Sequence, residues 1–271
     1  MRPRFVDADE AVTSVEPDST LGVGGMQLTA APMALVRALV RRRTRIGRLV
    51  TSPSASLQAD LPIAAGLVDE LVSPYVGFEH LGLAPAFRRA VEGGSLRVLE
   101  IDEGSLTHAL HAGASGIPFV PCPPGIDLTD IPRVDPTLFR RVVDPFDGTE
   151  RWAVPAIRPD TVFVAAAVAD EHGNVAFDRF PFTDRTMALA ARRLLVEVEE
   201  VVPAGSLADR PPGTTLPAFL VDAIVVAPGG CLPTEYPGRY GRDDETLRAY
   251  LAAAKTGDPD AVAPFLEEAR R

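Results

Sequence analysis

The stretch TVFVAAAVA, Thr161 to Ala169, is apolar at odd and even positions alike. A strand alternates its side chains between two faces, so this run places apolar groups on both. That is the pattern of a strand in a parallel sheet with helices packed against either side. Val221 to Ala227 repeats it, apart from Asp222. Working outward, shorter apolar segments at Thr20–Gly24, Arg48–Ser52, Val68–Val76, Leu96–Ile101 and Leu195–Val202 read as further strands. Helix-like stretches fall between many of them, at Met33–Arg43, Ala84–Val91, Ser105–Ala112 and Thr186–Arg193. In the first of these, Leu35, Ala38, Leu39 and Arg42 follow the 3,4 spacing, and Pro32 opens it where a missing N–H costs nothing. Strand, helix, strand in succession predicts right-handed crossovers and a mainly parallel α/β sheet.

The chain of 271 residues is 46% hydrophobic and 24% charged, with a formal net charge of −10. A length of this order fits one large α/β domain with a sizeable core. The acidic balance argues against a nucleic-acid binder, which needs clustered Lys and Arg against phosphates. The one basic run, Arg41-Arg42-Arg43-Thr44-Arg45 with Arg48, falls at a predicted helix end, where cations complement the helix dipole. The longest apolar run, Val162–Ala169, is far short of the roughly 20 residues of a membrane span. With no secretory-type apolar segment in MRPRFVDADE, the expected location is cytoplasmic. Cys122 and Cys231 have no metal or redox spacing, and Lys255 is the only lysine. Six prolines between Ile117 and Pro136 predict a long ordered loop, and Arg242–Arg271 reads as two helices broken at Thr256–Pro259.

Chemistry is sought at the strand ends, because ligands of open parallel sheets bind outside the carboxyl ends of the strands. The first long strand runs into Gly22-Val23-Gly24-Gly25-Met26-Gln27. Glycines there let a ligand approach the backbone and leave N–H groups for an anion or oxyanion, and a tight turn is the alternative. A dinucleotide fingerprint would need glycine at Gln27, and the Gly-Lys-Ser/Thr of a phosphate-binding loop is missing. Hydroxyls cluster in Thr51-Ser52-Pro53-Ser54-Ala55-Ser56, either facing the same crevice or capping a helix. The next ends carry Gly77-Phe78-Glu79-His80 and Glu100-Ile101-Asp102-Glu103. Such a carboxylate group can shield one acid and raise its pKa, or Asp102 or Glu103 can cap the helix near Ser105. His108 and His111 share a helix without a third metal ligand, and His172 lies in a turn.

With these strand ends in order, the chain resembles the alpha subunit of the family I coenzyme A transferases, most of all the glutaconate type. The resemblance rests on GVGG at 22–25 with PMALVRAL at 32–39, GLVDELVSPYVGFE at 66–79 and EIDEGSL at 100–106. AGASGIPFVP at 112–121, DPFDG at 144–148, VPAIRPDTVFVAAAVADEHGNVAF at 154–177 and VDAIVVAPGG at 221–230 continue it. It implies a three-layer α/β/α fold with a mainly parallel sheet, Rossmann-like without a dinucleotide fingerprint. Residues 1–271 would form one such domain with a helical extension from about 242. The implied partner is a beta subunit, in an alpha-beta or alpha2-beta2 assembly.

The implied reaction moves coenzyme A from an acyl-CoA to a carboxylic acid, with the thioester as substrate and no permanently bound cofactor or metal. A glutamate attacks the thioester carbonyl, and the mixed anhydride formed is converted to a glutamyl-CoA by the released thiolate. The resemblance places that glutamate on the beta subunit. This chain would then supply substrate binding through Gly24, Gly25, Met26, Gln27, Ser52, Ser54 and Glu79. Relatives in actinobacterial steroid-ring degradation instead cleave a carbon–carbon bond in a cyclic acyl-CoA, using an alpha-subunit carboxylate that matches Glu103. A third expectation, of another class, is a non-catalytic binding or assembly subunit.

Overall fold

A computed structural model describes residues 3–134, 136–178, 181–211 and 213–267. The last four residues of the expected C-terminal extension lie outside these. The strands are β1 (Arg4–Val6), β2 (Thr20–Val23), β3 (Ile46–Thr51), β4 (Val68–Val72), β5 (Arg97–Leu99), β6 (Phe119–Pro121) and β7 (Arg140–Val143). They continue with β8 (Glu150–Pro155), β9 (Thr161–Asp170), β10 (Val175–Ala176), β11 (Arg193–Val202), β12 (Thr215–Leu216) and β13 (Ala223–Val226). The helices are α1 (Ala8–Ala11), α2 (Met33–Arg42), α3 (Leu57–Ala64), α4 (Pro85–Glu92), α5 (Glu103–Ala114), α6 (Ile131–Val134), α7 (Asp184–Ala190) and α8 (Asp244–Lys255).

The central sheet runs β1-β13-β11-β9-β2-β3-β4-β5, with every neighbouring pair parallel. Among the described residues, only the short β10 and β12 add antiparallel pairs to this sheet, at the end of β9. The chain moves outward from β2 to β5 and then returns to the other side of β2 with β9. The β2–β9 junction is therefore the topological switch point, where crevices open in such sheets.

The layers follow from the pattern of Thr161–Asp170, all ten of whose residues are buried. Phe163 on one parity packs in a core with Leu21, Leu49 and Leu71 and with α2, α3, α4 and α8. Val162, Val164 and Ala166 on the other parity pack with Val196 and Val198, with Leu106 and Leu110 of α5 and with Met187 of α7. The expected three-layer fold is thus present, and the C-terminal α8 belongs to the first core.

Several expected boundaries shift. The segment 193–195, read partly as helix, belongs to β11 and pairs with β9 from Arg193. The proline-rich stretch contains β6, which forms a separate antiparallel sheet β6-β8-β7. A proline is tolerated there because β6 is an edge strand. The second tail helix is a 3-10 segment, Pro259–Leu266. The basic run is a helix end: Arg43 takes the left-handed C-cap conformation, and Arg41, Arg45 and Arg48 pair with Asp9, Asp69 and Glu70.

Two helices receive their N-terminal caps from distant buried acids. Pro32 and Ala84, which precede α2 and α4, offer no side-chain cap. Instead, the Leu35 N–H donates to Glu197 Oε2 at 3.0 Å and the Phe87 N–H to Asp60 Oδ1 at 2.7 Å. Burial pushes the Glu197 carboxyl up to about 8, against the bond from Leu35 and the charge of Arg37, which lower it. In the unfolded chain the group ionises near the ordinary glutamate value, around 4.3. As pH rises from there to about 8, the unfolded chain loses this proton while the folded one keeps it, so stability falls over that window and then levels off. Glu197→Gln removes the dependence. The melting temperature of the variant relative to the parent should therefore rise between pH 5 and pH 8, as followed by calorimetry.

Candidate functional site

The Gly24–Gly25 turn lies at the switch point. The Gly24 N–H donates to Phe163 O at 2.9 Å, which ties the end of β2 to β9. Every backbone N–H that the sequence offered to an anion is engaged within the chain. That of Gly25 donates to Asp184 Oδ1 at 2.8 Å, that of Met26 to Thr29 O at 2.9 Å and that of Gln27 to Ser54 O at 2.8 Å. The glycines serve packing and turn geometry. A Cβ on Gly22 would stand 2.9 Å from Val162 and 3.1 Å from the Met187 sulfur, and one on Gly24 would stand 2.7 Å from Asp184 Oδ1. Both therefore let α7 settle against β2. Gly25 takes φ +84°, a conformation that L side chains disfavour.

Beyond the turn, the backbone is held in sparsely populated conformations. Gln27 and Ala30 have φ of +52° and +50° although neither is glycine. The Ser56 hydroxyl donates to Gln27 O at 2.6 Å, and the Ala30 N–H donates to Glu235 O at 2.7 Å. Non-glycine residues persist at such angles only where surrounding bonds over-determine them, and they cluster at ligand sites. What this loop leaves for a ligand is side chain: Met26, Gln27 and Thr29 are partly exposed, while Gly24, Gly25, Leu28 and Ala30 are buried.

Ser52 and Ser54 both border this loop. Ser52 is fully buried with its Oγ 3.5 Å from Asp184 Oδ1. Ser54 is also buried, and its hydroxyl, like Gln58 Nε2 beside it, has no hydrogen-bond partner among the described residues. Buried polar groups without a partner are rare, and such a pair next to Gln27 is suited to bond an incoming polar ligand. Asp184, 0% exposed, is the residue that sequence reasoning missed. Its signal was an acid in the first turn of a helix, but its partner lies 159 positions away.

The acidic residues follow two other strands, β4 and β5. Asp102 caps α5 by accepting from the Ser105 N–H at 2.9 Å. Glu103 is thereby released from capping. It is the first residue of α5, and its side chain is exposed with no partner among the described residues. The shielded carboxylate oxygen at this strand end is Asp102 Oδ2, which is buried without a hydrogen-bond partner among the described residues, and Glu103 is not shielded. In the order β2-β3-β4-β5, the strand that leads to it lies three places from β2. Glu79 is exposed and pairs with Arg242 at 3.3 Å. Arg242 in turn pairs with Asp244 of α8, on the sheet face opposite α5. The structure groups the glycine loop with Ser52 and Ser54, and the segment that leads to Glu79 is bonded to the same turn, the Gly77 N–H donating to Ala55 O at 2.9 Å. His108 and His111 are exposed on α5.

The fold and this arrangement define an open parallel α/β protein with a polar loop at its switch point. Residues 5–227 match the coenzyme A transferase family, and the chain belongs to that family. It is 33% identical to the cholesterol ring-cleaving hydrolase IpdA subunit of Rhodococcus jostii, over 98% of this chain and 91% of that one. It is 26% identical to the A subunit of the glutaconate CoA-transferase of Acidaminococcus fermentans, over 92% and 82%. A protein of Archaeoglobus fulgidus is 31% identical over 94% of this chain, which spans only 57% of that longer protein. Among solved structures, a decarboxylase AibA/AibB C56S variant superposes with a TM-score of 0.86 at 36% identity, covering 98% of each chain. Within the family, this chain is of the alpha-subunit type. No helix among the described residues is long and apolar enough to cross a membrane.

Proposed function

We propose that this chain is the alpha subunit of a two-chain enzyme that transfers coenzyme A from an acyl-CoA to a carboxylic acid. The observation that carries the proposal is the match to coenzyme A transferases over residues 5–227, with a built polar loop at the switch point. The covalent step belongs to a glutamate of the beta subunit, which forms the mixed anhydride and then the glutamyl-CoA. This chain's part is to bind and orient: Met26 and Gln27 face the thioester, and Ser54 with Gln58 supplies polar contacts. Because the loop N–H groups are already bonded, oxyanion stabilisation falls to side chains here and to the partner. Intact-mass measurement of the assembled pair after incubation with a panel of acyl-CoA thioesters should show a coenzyme A adduct on the partner and none on this chain. An adduct on this chain would contradict the assignment.

A second reading is supported by Glu103 at the start of α5, exposed and without a partner among the described residues, and by the hydrolase and decarboxylase relatives. In it the pair cleaves a carbon–carbon bond of an acyl-CoA, with Glu103 as base. The substitution Glu103→Ala separates the two. Transfer should survive within about tenfold, whereas loss of a working general base costs typically 10² to 10⁴-fold.

A further inference from the structure

We infer that Asp184 is a positioning residue that holds the 24–30 loop in its ligand-ready shape. The inference rests on the reading that this loop faces the coenzyme A thioester. Asp184 is the first residue of α7 and is fully buried. Its Oδ1 accepts the Gly25 N–H at 2.8 Å, lies 3.5 Å from Ser52 Oγ and fills the space where a Cβ on Gly24 would sit. One carboxylate oxygen thus joins the end of β2, the end of β3 and the start of α7.

The other anchors of the loop come from Ser54 and Ser56 just before α3, and from Glu235. Asp184 reaches it from the opposite side of the sheet, the side on which α7 packs. The left-handed angles at Gln27 and Ala30, neither of them glycine, need anchors on both sides of the loop, because the backbone would otherwise relax toward ordinary conformations. Release of the Gly25 amide therefore lets the Gln27 side chain move. Displacements of about 1 Å at a substrate-positioning group can cost 10²-fold in rate.

The test uses the complex of this chain with its beta partner, probed with coenzyme A itself. In Asp184→Ala, amide hydrogen exchange across Gly25–Ala30 should rise at least 10²-fold and coenzyme A should bind at least tenfold more weakly. Asp184→Asn keeps an oxygen acceptor and should restore both to within about fivefold. Unchanged exchange in the loop, or unchanged coenzyme A affinity, in Asp184→Ala would overturn the inference. If that variant does not fold, Gly24→Ala pushes a methyl group against the same carboxylate and should give the same two effects. Gln27→Ala tests the underlying reading separately. If it leaves coenzyme A affinity unchanged while Asp184→Ala loosens the loop, the loop does not face the ligand and the site proposed above fails. If Gln27→Ala weakens binding and Asp184→Ala does not, only the role given to Asp184 is wrong.

Discussion

Gly25→Ala is expected to lower the melting temperature by roughly 10 °C and to remove activity with it. Two costs add at this position. The left-handed backbone angle, φ +84°, costs an L residue about 1–2 kcal/mol. The new Cβ would also stand 2.7 Å from Ala31 Cα, 2.8 Å from Ala30 O and 2.9 Å from Ala31 N, all backbone atoms that no side-chain rotation can clear. Forcing the start of α2 to shift brings the total to about 3–4 kcal/mol, and 1 kcal/mol moves the melting temperature of a chain of this size by about 2–4 °C. Gly66→Ala is the control. Gly66 has φ +68° but nothing within 4 Å of its added Cβ, so that variant should lose only the conformational share. Equal losses at the two positions, measured by calorimetry, would show that the contact with Ala30 and Ala31 is not tight.

Asp60→Ala should be at least as damaging, at about 3–5 kcal/mol, although Asp60 lies outside the site. Its carboxylate accepts the Phe87 N–H at 2.7 Å and the Tyr250 hydroxyl at 2.8 Å, so it holds α4 and α8 to α3 at once. Both Asp60 and Tyr250 are 0% exposed, so the alanine variant leaves two donors without water or partner. Each unsatisfied buried group costs about 1–3 kcal/mol, and the lost side chain adds a cavity. Burial raises the Asp60 carboxyl to about 6, and its two donors hold it back from rising further. Tyr250→Phe removes one bond and should cost about 1 kcal/mol. A chemical-denaturation series in which Asp60→Ala matched Tyr250→Phe would contradict the double role.

The sheet was legible because its signal is local. Thr161–Ala169 is apolar on both parities, and that pattern has one common cause. The helix at Leu57–Ala64 was not read, since Pro62 interrupts it and its buried Gln58 and Asp60 look like surface residues in a one-dimensional pattern. The glycine turn was visible as a motif, but its physical cause was not. Gly22 and Gly24 are small because Met187 and Asp184, some 160 positions later, press on them. No periodicity carries that information. The same limit applies to the acids. Asp60, Asp184 and Glu197 act through N–H groups of distant elements, whereas Glu103, which the sequence singled out, is exposed at a helix start. Asp102 and Glu103 were equal choices for the cap until the structure assigned it to Asp102.

The proposed function rests on an active site shared between this chain and a beta partner. The direct test is exchange of a labelled carboxylic acid into its acyl-CoA across a panel of acid and thioester pairs, run with this chain alone, with its beta partner alone and with both. The account predicts exchange only in the mixture. Exchange catalysed by this chain alone at the rate of the mixture would contradict it.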